Sequence, residues 1–243
     1  MRHWAALAFA LVLSAAASAP AGAETINIVA FGDSGVFGSG QGRTPGGVPV
    51  AEAYPAKLER ALRARGWDVS VSNQGVRGGT ARNAVYTIDL RIPPLAKLTI
   101  IQFGSNDRNL LLASDGDIAH SLEEIIRRVR AKDSAVILVR QWPPSDAGVF
   151  AAVEQSSDSF VTWYSDVYYE GKLRPEYDSG DHAHLNAAGT DVIVARAVPD
   201  VEPADAPRIA TDSLNQSKYP FNLGNRILHL YSAMTGRNRR NPY

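Results

Sequence analysis

The feature that most constrains this chain is a strict alternation between residues 26 and 198: short aliphatic, β-branched runs take turns with segments whose apolar residues recur at helical spacing. Ile26 to Phe31 reads as a buried strand ending at a glycine. Pro55 to Arg65 follows as a helix with Leu58, Ala61 and Leu62 on one face and a proline in its first turn. Val69 to Ser72 reads as the second strand, Ala81 to Leu90 as a helix, and Leu98 to Phe103 as the third strand. Ile118 to Arg130 is amphipathic, with Leu122, Ile125, Ile126 and Val129 inward, and Ala135 to Val139 is a fourth strand. Phe160 to Trp163 is the candidate for a short fifth, and Asn186 to Val198 closes the series as a helix. Parallel neighbours need crossover connections, and those crossovers cover the sheet, so the expected class is α/β with helices on both faces of a parallel sheet. In such sheets ligands bind outside the carboxyl ends of the strands.

The two ends of the chain stand outside this pattern. Met1-Arg2-His3 is a short basic start, Trp4 to Ala17 is apolar but shorter than the roughly 18 residues that span a bilayer, and Ala21-Gly22-Ala23 is a small-x-small cleavage site. Residues 1–23 are therefore expected to be a signal peptide rather than a buried Ala-rich helix, with Glu24 the mature N-terminus and the protein secreted or periplasmic. At the other end Pro199, Pro203 and Pro207 recur every four residues, which should stop the last helix and give an extended linker. Leu223, Ile227, Leu230, Tyr231 and Met234 then share one face of a short helix, followed by the basic tip Arg237-Asn238-Arg239-Arg240. The expected organisation is leader 1–23, one domain 24–198, and a linker with a terminal helix over 199–243.

Charge and composition narrow the partners. Lys+Arg and Asp+Glu both total 25, and no long block of one sign interrupts the domain, which argues against nucleic acid or anionic lipid and for a small molecule. There is no cysteine, so disulfides and a thiol nucleophile are excluded.

The strand ends carry the chemistry. Strand one runs into Gly32-Asp33-Ser34-Gly35, where Ser34 is placed like a nucleophile at the mouth of the sheet, although an ordinary Asp/Ser turn has the same composition. Strand two ends in Asn73-Gln74-Gly75-Val76-Arg77-Gly78-Gly79, whose glycines either expose a backbone N–H toward a developing oxyanion or simply make a turn. Strand three ends in Gly104-Ser105-Asn106-Asp107; the Asn106 amide there is either a further oxyanion donor or an Asx-turn. Only one segment combines a histidine with a nearby carboxylate in a loop leading into a helix: Gly180-Asp181-His182-Ala183-His184-Leu185-Asn186. Asp181 precedes His184 by three residues, so one turn of chain can aim the carboxylate at the imidazole. The Asp-His-x-His string also resembles metal ligands, but there is no His-Glu-x-x-His and no remote histidine pair to complete a zinc site.

Taken together, Gly-Asp-Ser, Asn-Gln-Gly-Val-Arg-Gly, Gly-Ser-Asn-Asp and Asp-His-Ala-His-Leu-Asn resemble the four blocks of the SGNH, or GDSL, hydrolases over about residues 26 to 198, in a layout similar to the secreted bacterial thioesterase/lysophospholipase and arylesterase branch. The resemblance implies a flavodoxin-like three-layer α/β/α sandwich with about five parallel strands. It implies hydrolysis of an ester or thioester with no metal or organic cofactor. Ser34 would attack, His184 would take its proton and Asp181 would orient His184, with the oxyanion held by the Ser34 N–H, the Gly75 N–H and the Asn106 side chain. Two stretches depart from that pattern: the segment between strand four and Asp181, with Trp142-Pro143-Pro144 and the aromatics Trp163, Tyr164, Tyr168 and Tyr169, and everything after residue 200. No Gly-x-Ser-x-Gly elbow occurs. The alternatives are a carbohydrate O-acetyl esterase on the same site, a non-catalytic ligand-binding module on this scaffold, and a phosphate binder using Gly38 to Gly47, which lacks the Lys-Ser/Thr of a P-loop.

Overall fold

The computed structural model describes residues 25–40, 42, 45–141 and 147–202. The elements in chain order are β1 (Ile26–Gly32), α1 (Ser34–Phe37), α2 (Tyr54–Arg63), β2 (Val69–Gly75), α3 (Ala81–Ala84), α4 (Ile88–Arg91), β3 (Leu98–Gln102), α5 (Ser105–Leu111), α6 (Asp115–Arg130), β4 (Ala135–Val139), α7 (Ala147–Val153), β5 (Ser159–Val161), β6 (Tyr168–Tyr169), β7 (Lys172–Leu173) and α8 (Ala187–Val201). β1 to β5 form one parallel sheet in the order β2-β1-β3-β4-β5, while β6 and β7 make a small hairpin. This is the flavodoxin-like order, in which the chain reverses its winding between β1 and β3 and opens a crevice there.

Two cores follow from the two-residue period of the strands. Ile28 and Ala30 of β1, Leu98 and Ile100 of β3, and Ile137 and Val139 of β4 face α2 and α8. Val29 and Phe31, Ile101, and Val136 and Leu138 face α3, α4, α6 and α7 on the opposite side. Because both faces are covered, β3 and β4 are buried along their whole length. That explains the uninterrupted aliphatic sequence of β4 and the largely apolar one of β3. The helices are fixed by local signals too: Ser114 and Asp117 form a reciprocal capping box at the start of α6, and Asn186 caps α8 by accepting from the Gly189 N–H at 2.9 Å.

Three elements differ from expectation. The helix expected over Ala81 to Leu90 is two short pieces, because Tyr86 and Thr87 donate to Asn83 and Ala84 in tight turns and the Thr87 hydroxyl also donates to the Ala84 carbonyl. α8 does not stop before Pro199 but runs through it to Val201. Pro199 and Ala195 are both exposed, so water can serve the carbonyl that the proline leaves without an N–H. Val201 is buried, Asp200 accepts from the Trp163 indole at 2.7 Å, and Glu202 from the Trp67 indole at 3.1 Å, so the domain extends at least to residue 202. Trp163 lies in a 3-10 turn after β5 rather than in the strand. The expected leader, the linker from Pro203 and the terminal helix lie outside the described residues, as do Trp142, Pro143 and Pro144. Among the described residues no helix is long and apolar enough to cross a membrane.

Candidate active site

Everything of chemical interest gathers at the carboxyl ends of β1 to β4. Asp33 caps α1 with its side chain, so the chain leaves β1 and turns at once into a helix whose first residue is Ser34. Across the crevice, the loop before α8 brings His184 to it: Ser34 Oγ and His184 Nε2 are 2.8 Å apart, and His184 Nδ1 and Asp181 Oδ2 are 2.6 Å apart. His184 is 9% exposed, so its ring is held by protein rather than water.

The Asp181 carboxylate is itself fixed. Its Oδ1 accepts from the backbone N–H of His184 at 2.8 Å and of Ala183 at 3.1 Å, which leaves Oδ2 for the imidazole. Burial pushes this carboxyl up, but the His184 ring and these two N–H groups outweigh it and hold it below the ordinary carboxylate range. An ionised Asp181 at Nδ1 demands the tautomer with the proton on Nδ1, so the Nε2 lone pair faces the Ser34 hydroxyl. His182 does not enter this line; its side chain is 93% exposed and pairs with Asp178.

Gly46 and Gly47 back the Asp181 carboxylate. A Cβ at Gly46 would lie 2.6 Å from Asp181 Cγ, so only glycine fits there. The Gly47 N–H donates to Ser179 Oγ at 2.7 Å, and Ser179 Oγ donates to Asp181 Oδ1 at 3.3 Å. This bracing was not legible from the glycines alone.

Asn106 lies in the first turn of α5, just past the end of β3. Its Nδ2 donates one proton to the Gly79 carbonyl at 2.9 Å, which leaves the second free to point elsewhere. Next to it the buried Asp107 accepts from the N–H groups of Ala81 and Arg82 at 2.7 and 3.0 Å, pinning the start of α3. Gly75 is placed differently from expectation. Its N–H donates to Asn73 Oδ1 at 3.0 Å, and its α-carbon faces the backbone of Phe37, so that amide is already committed. Three residues on, the turn Val76–Gly79 is closed by the Gly79 N–H donating to the Val76 carbonyl, with Gly78 at φ +68°. The Gly78 N–H has no acceptor among the described residues, and neither has the Ser34 N–H.

Beneath Ser34 and His184 lies a small cavity walled by Tyr54, Tyr164, Tyr168 and Gln141. This gives the irregular aromatic segment a place: Tyr164 and Tyr168 line the cavity beside the His184 loop, and Tyr164 donates to Gln102 Oε1 at 3.2 Å. Among the described residues no group of three or more His, Cys, Asp or Glu is placed to hold a metal ion.

The family model for the GDSL-like lipase/acylhydrolase family matches residues 30–192. The chain belongs to that family. Among solved structures, the SGNH-hydrolase family esterase AlinE4 is 27% identical, with a TM-score of 0.55 over 75% of this chain and 99% of its own. The fold is shared at lower identity with TesA (20%, TM-score 0.62, 73% of this chain and 98% of that one). It is shared likewise with the psychrotrophic esterase EstA from Pseudoalteromonas sp. (16%, TM-score 0.60, 71% and 94%). A search among curated proteins finds no match. The GDSL hydrolase is therefore an α/β/α sandwich of the SGNH type, and hydrolase chemistry is the frame for its site.

Proposed function

We propose that this GDSL hydrolase is a serine esterase that cleaves carboxylic esters or thioesters through an acyl-enzyme on Ser34. The observation that carries the reading is the continuous line from Ser34 Oγ through the His184 ring to Asp181, with contacts of 2.8 and 2.6 Å. As the Ser34 oxygen attacks the acyl carbon, its proton passes to His184 Nε2, and the imidazolium that forms is stabilised by Asp181. His184 then gives that proton to the leaving alcohol or thiol. Water repeats the sequence against the acyl-enzyme, returning the carboxylic acid and free Ser34.

The negative charge that develops on the carbonyl oxygen needs donors aimed at it before it forms. The Ser34 N–H and the second Nδ2 proton of Asn106 serve this role. In place of the committed Gly75 amide, the unengaged N–H of Gly78 is the third donor, since Asn106 is hydrogen-bonded to the very next residue, Gly79. The likeness to AlinE4, a named esterase, favours a carboxylic ester over other acyl substrates. Read with residues 1–23 as a leader, the enzyme works outside the cytoplasm, and N-terminal sequencing of the mature protein should find Glu24.

The test is a chain-length series of nitrophenyl esters and acyl thioesters, with an acetylated polysaccharide alongside. Hydrolysis should vanish in Ser34→Ala, and a fluorophosphonate should label Ser34 alone. His184→Ala should lose several powers of ten in kcat, and Asp181→Asn somewhat less, because the carboxylate orients rather than reacts. Label on another serine, or turnover by Ser34→Ala, would overturn the reading.

A further inference from the structure

The residue before the candidate nucleophile and the residue before Asn106 touch each other. Ser105 Oγ lies 3.1 Å from Asp33 Oδ2 and 3.1 Å from Gln141 Oε1, and Gln141 Nε2 donates to Asp33 Oδ1 at 3.4 Å. Asp33 is 1% exposed and also accepts from the Gly35 N–H at 2.8 Å. The result is a ring that joins the tips of β1, β3 and β4. The path from Ser34 to Asn106 through it is short: one peptide bond to Asp33, one hydrogen bond to Ser105, one peptide bond to Asn106.

A serine hydroxyl has one proton and can also accept, and here it has two possible acceptors. With Asp33 ionised, Ser105 donates to it. With Asp33 protonated, the carboxyl donates to Ser105, Ser105 donates to Gln141 Oε1, and Gln141 Nε2 donates back to Asp33, so every member is satisfied. The link between the two strand tips persists in either state. The ring is also packed without slack, since a Cβ at Gly35 would lie 2.8 Å from Gln141 Nε2 and 3.2 Å from Asp33 Oδ1.

We propose that Ser105 is a positioning residue which, through Asp33 and Gln141, fixes the Asn106 amide at the spacing from Ser34 that oxyanion stabilisation requires. The inference rests on the serine-esterase reading. Asn106 is held from both sides: Ser105 ties it to the nucleophile turn, while its own Nδ2 and the neighbouring Asp107 tie it to the turn and helix after β2. A displacement of about 1 Å at such a donor is enough to cost on the order of a hundredfold in rate.

The test measures hydrolysis of p-nitrophenyl acetate by the full-length enzyme and its variants, each checked for folding by circular dichroism. Ser105→Ala should lower kcat by about 10- to 100-fold with KM changed less than about threefold, because an oxyanion contact acts in the transition state. Ser105→Thr, which keeps the hydroxyl, should recover kcat to within several-fold. In an Asn106→Ala background, Ser105→Ala should cost less than about twofold more, since it acts through a group already removed. Asp33→Asn should keep the link, its amide donating to Ser105. Should Ser105→Ala give little soluble protein, Ser105→Gly carries the same comparison. Unchanged kcat in folded Ser105→Ala, a rise in KM alone, or full additivity with Asn106→Ala would overturn the proposal. Ser34→Ala runs in the same assay: if it stays active, the serine-esterase reading fails instead.

Discussion

Asp33→Asn should change how stability responds to pH by an amount that follows from burial. The Asp33 carboxyl is pushed up to about 6 from an ordinary 3.8, chiefly because burial disfavours its charge, and the hydrogen bonds from Gly35, Ser105 and Gln141 offset only part of that. Below the unfolded value both states hold the proton, and Asp33 costs nothing. Between there and about 6 the unfolded chain releases a proton that the folded protein keeps, so stability falls as pH rises. Above about 6 both states are ionised and the cost is complete. A raised value of roughly two pH units corresponds to about 3 kcal/mol, of which about 2 kcal/mol is expressed between about pH 4.5 and 7.5. Asparagine has no charge to bury, and its amide donates to Ser105 as the protonated carboxyl does. Urea denaturation of both proteins at those two pH values, followed by circular dichroism, isolates the cost of burying this charge, because other titrating groups cancel in the difference. The variant should gain on the wild type by about 2 kcal/mol on going from the lower pH to the higher. Parallel stability curves with a constant offset would refute the argument and place the ionised Asp33 in a far better solvated site than its 1% exposure indicates.

Asn106→Ala should lower kcat for ester hydrolysis by about two to three powers of ten with KM little changed, measured by steady-state kinetics. Weakened binding at unchanged turnover would make Asn106 a specificity contact instead. Asp107→Asn replaces one of two carboxylate oxygens that accept from Ala81 and Arg82 with an amide that opposes an N–H. It should destabilise the fold by about 1–3 kcal/mol and lower Tm by several degrees in a thermal melt. Gly46→Ala puts a methyl group 2.6 Å from Asp181 Cγ; kcat should fall while fluorophosphonate labelling of Ser34 slows in step, and unchanged kinetics would show that the 45–47 loop yields freely.

The sequence made the sheet readable because β1, β3 and β4 are short, largely aliphatic runs separated by helical patterns, as parallel strands covered on both faces by crossover helices require. α6 and α8 were readable because each runs for about four turns behind a capping side chain, and α2 because a proline opens it and Leu58 and Leu62 recur at helical spacing. Short elements were not: α5 and α7 have seven residues each, too few for a helical period to stand out. At the site, Ser34, Asp181 and His184 were legible because their neighbours in the chain are distinctive. Gly75 and Gly78 are three residues apart in the same glycine-rich string, and only the bond from the Gly75 amide to Asn73 separates them. The ring of Asp33, Ser105 and Gln141 had no signature at all, since its contacts cross 72 and 108 positions and involve residue types common in any turn.

The contact between Ser34 and His184 joins positions 150 residues apart, near the two ends of the described fold. α8 lies directly against α2, so the helix that follows the base packs beside the helix that follows the nucleophile. A chain emerging from the ribosome holds its serine early but cannot complete the pair until the loop that carries His184 has been made. Contacts this distant in sequence are entropically late, so recovery of hydrolysis during refolding should trail the recovery of helical signal. On the serine-esterase reading, a partly folded protein should be inert toward esters until residues 34 and 184 have been brought together.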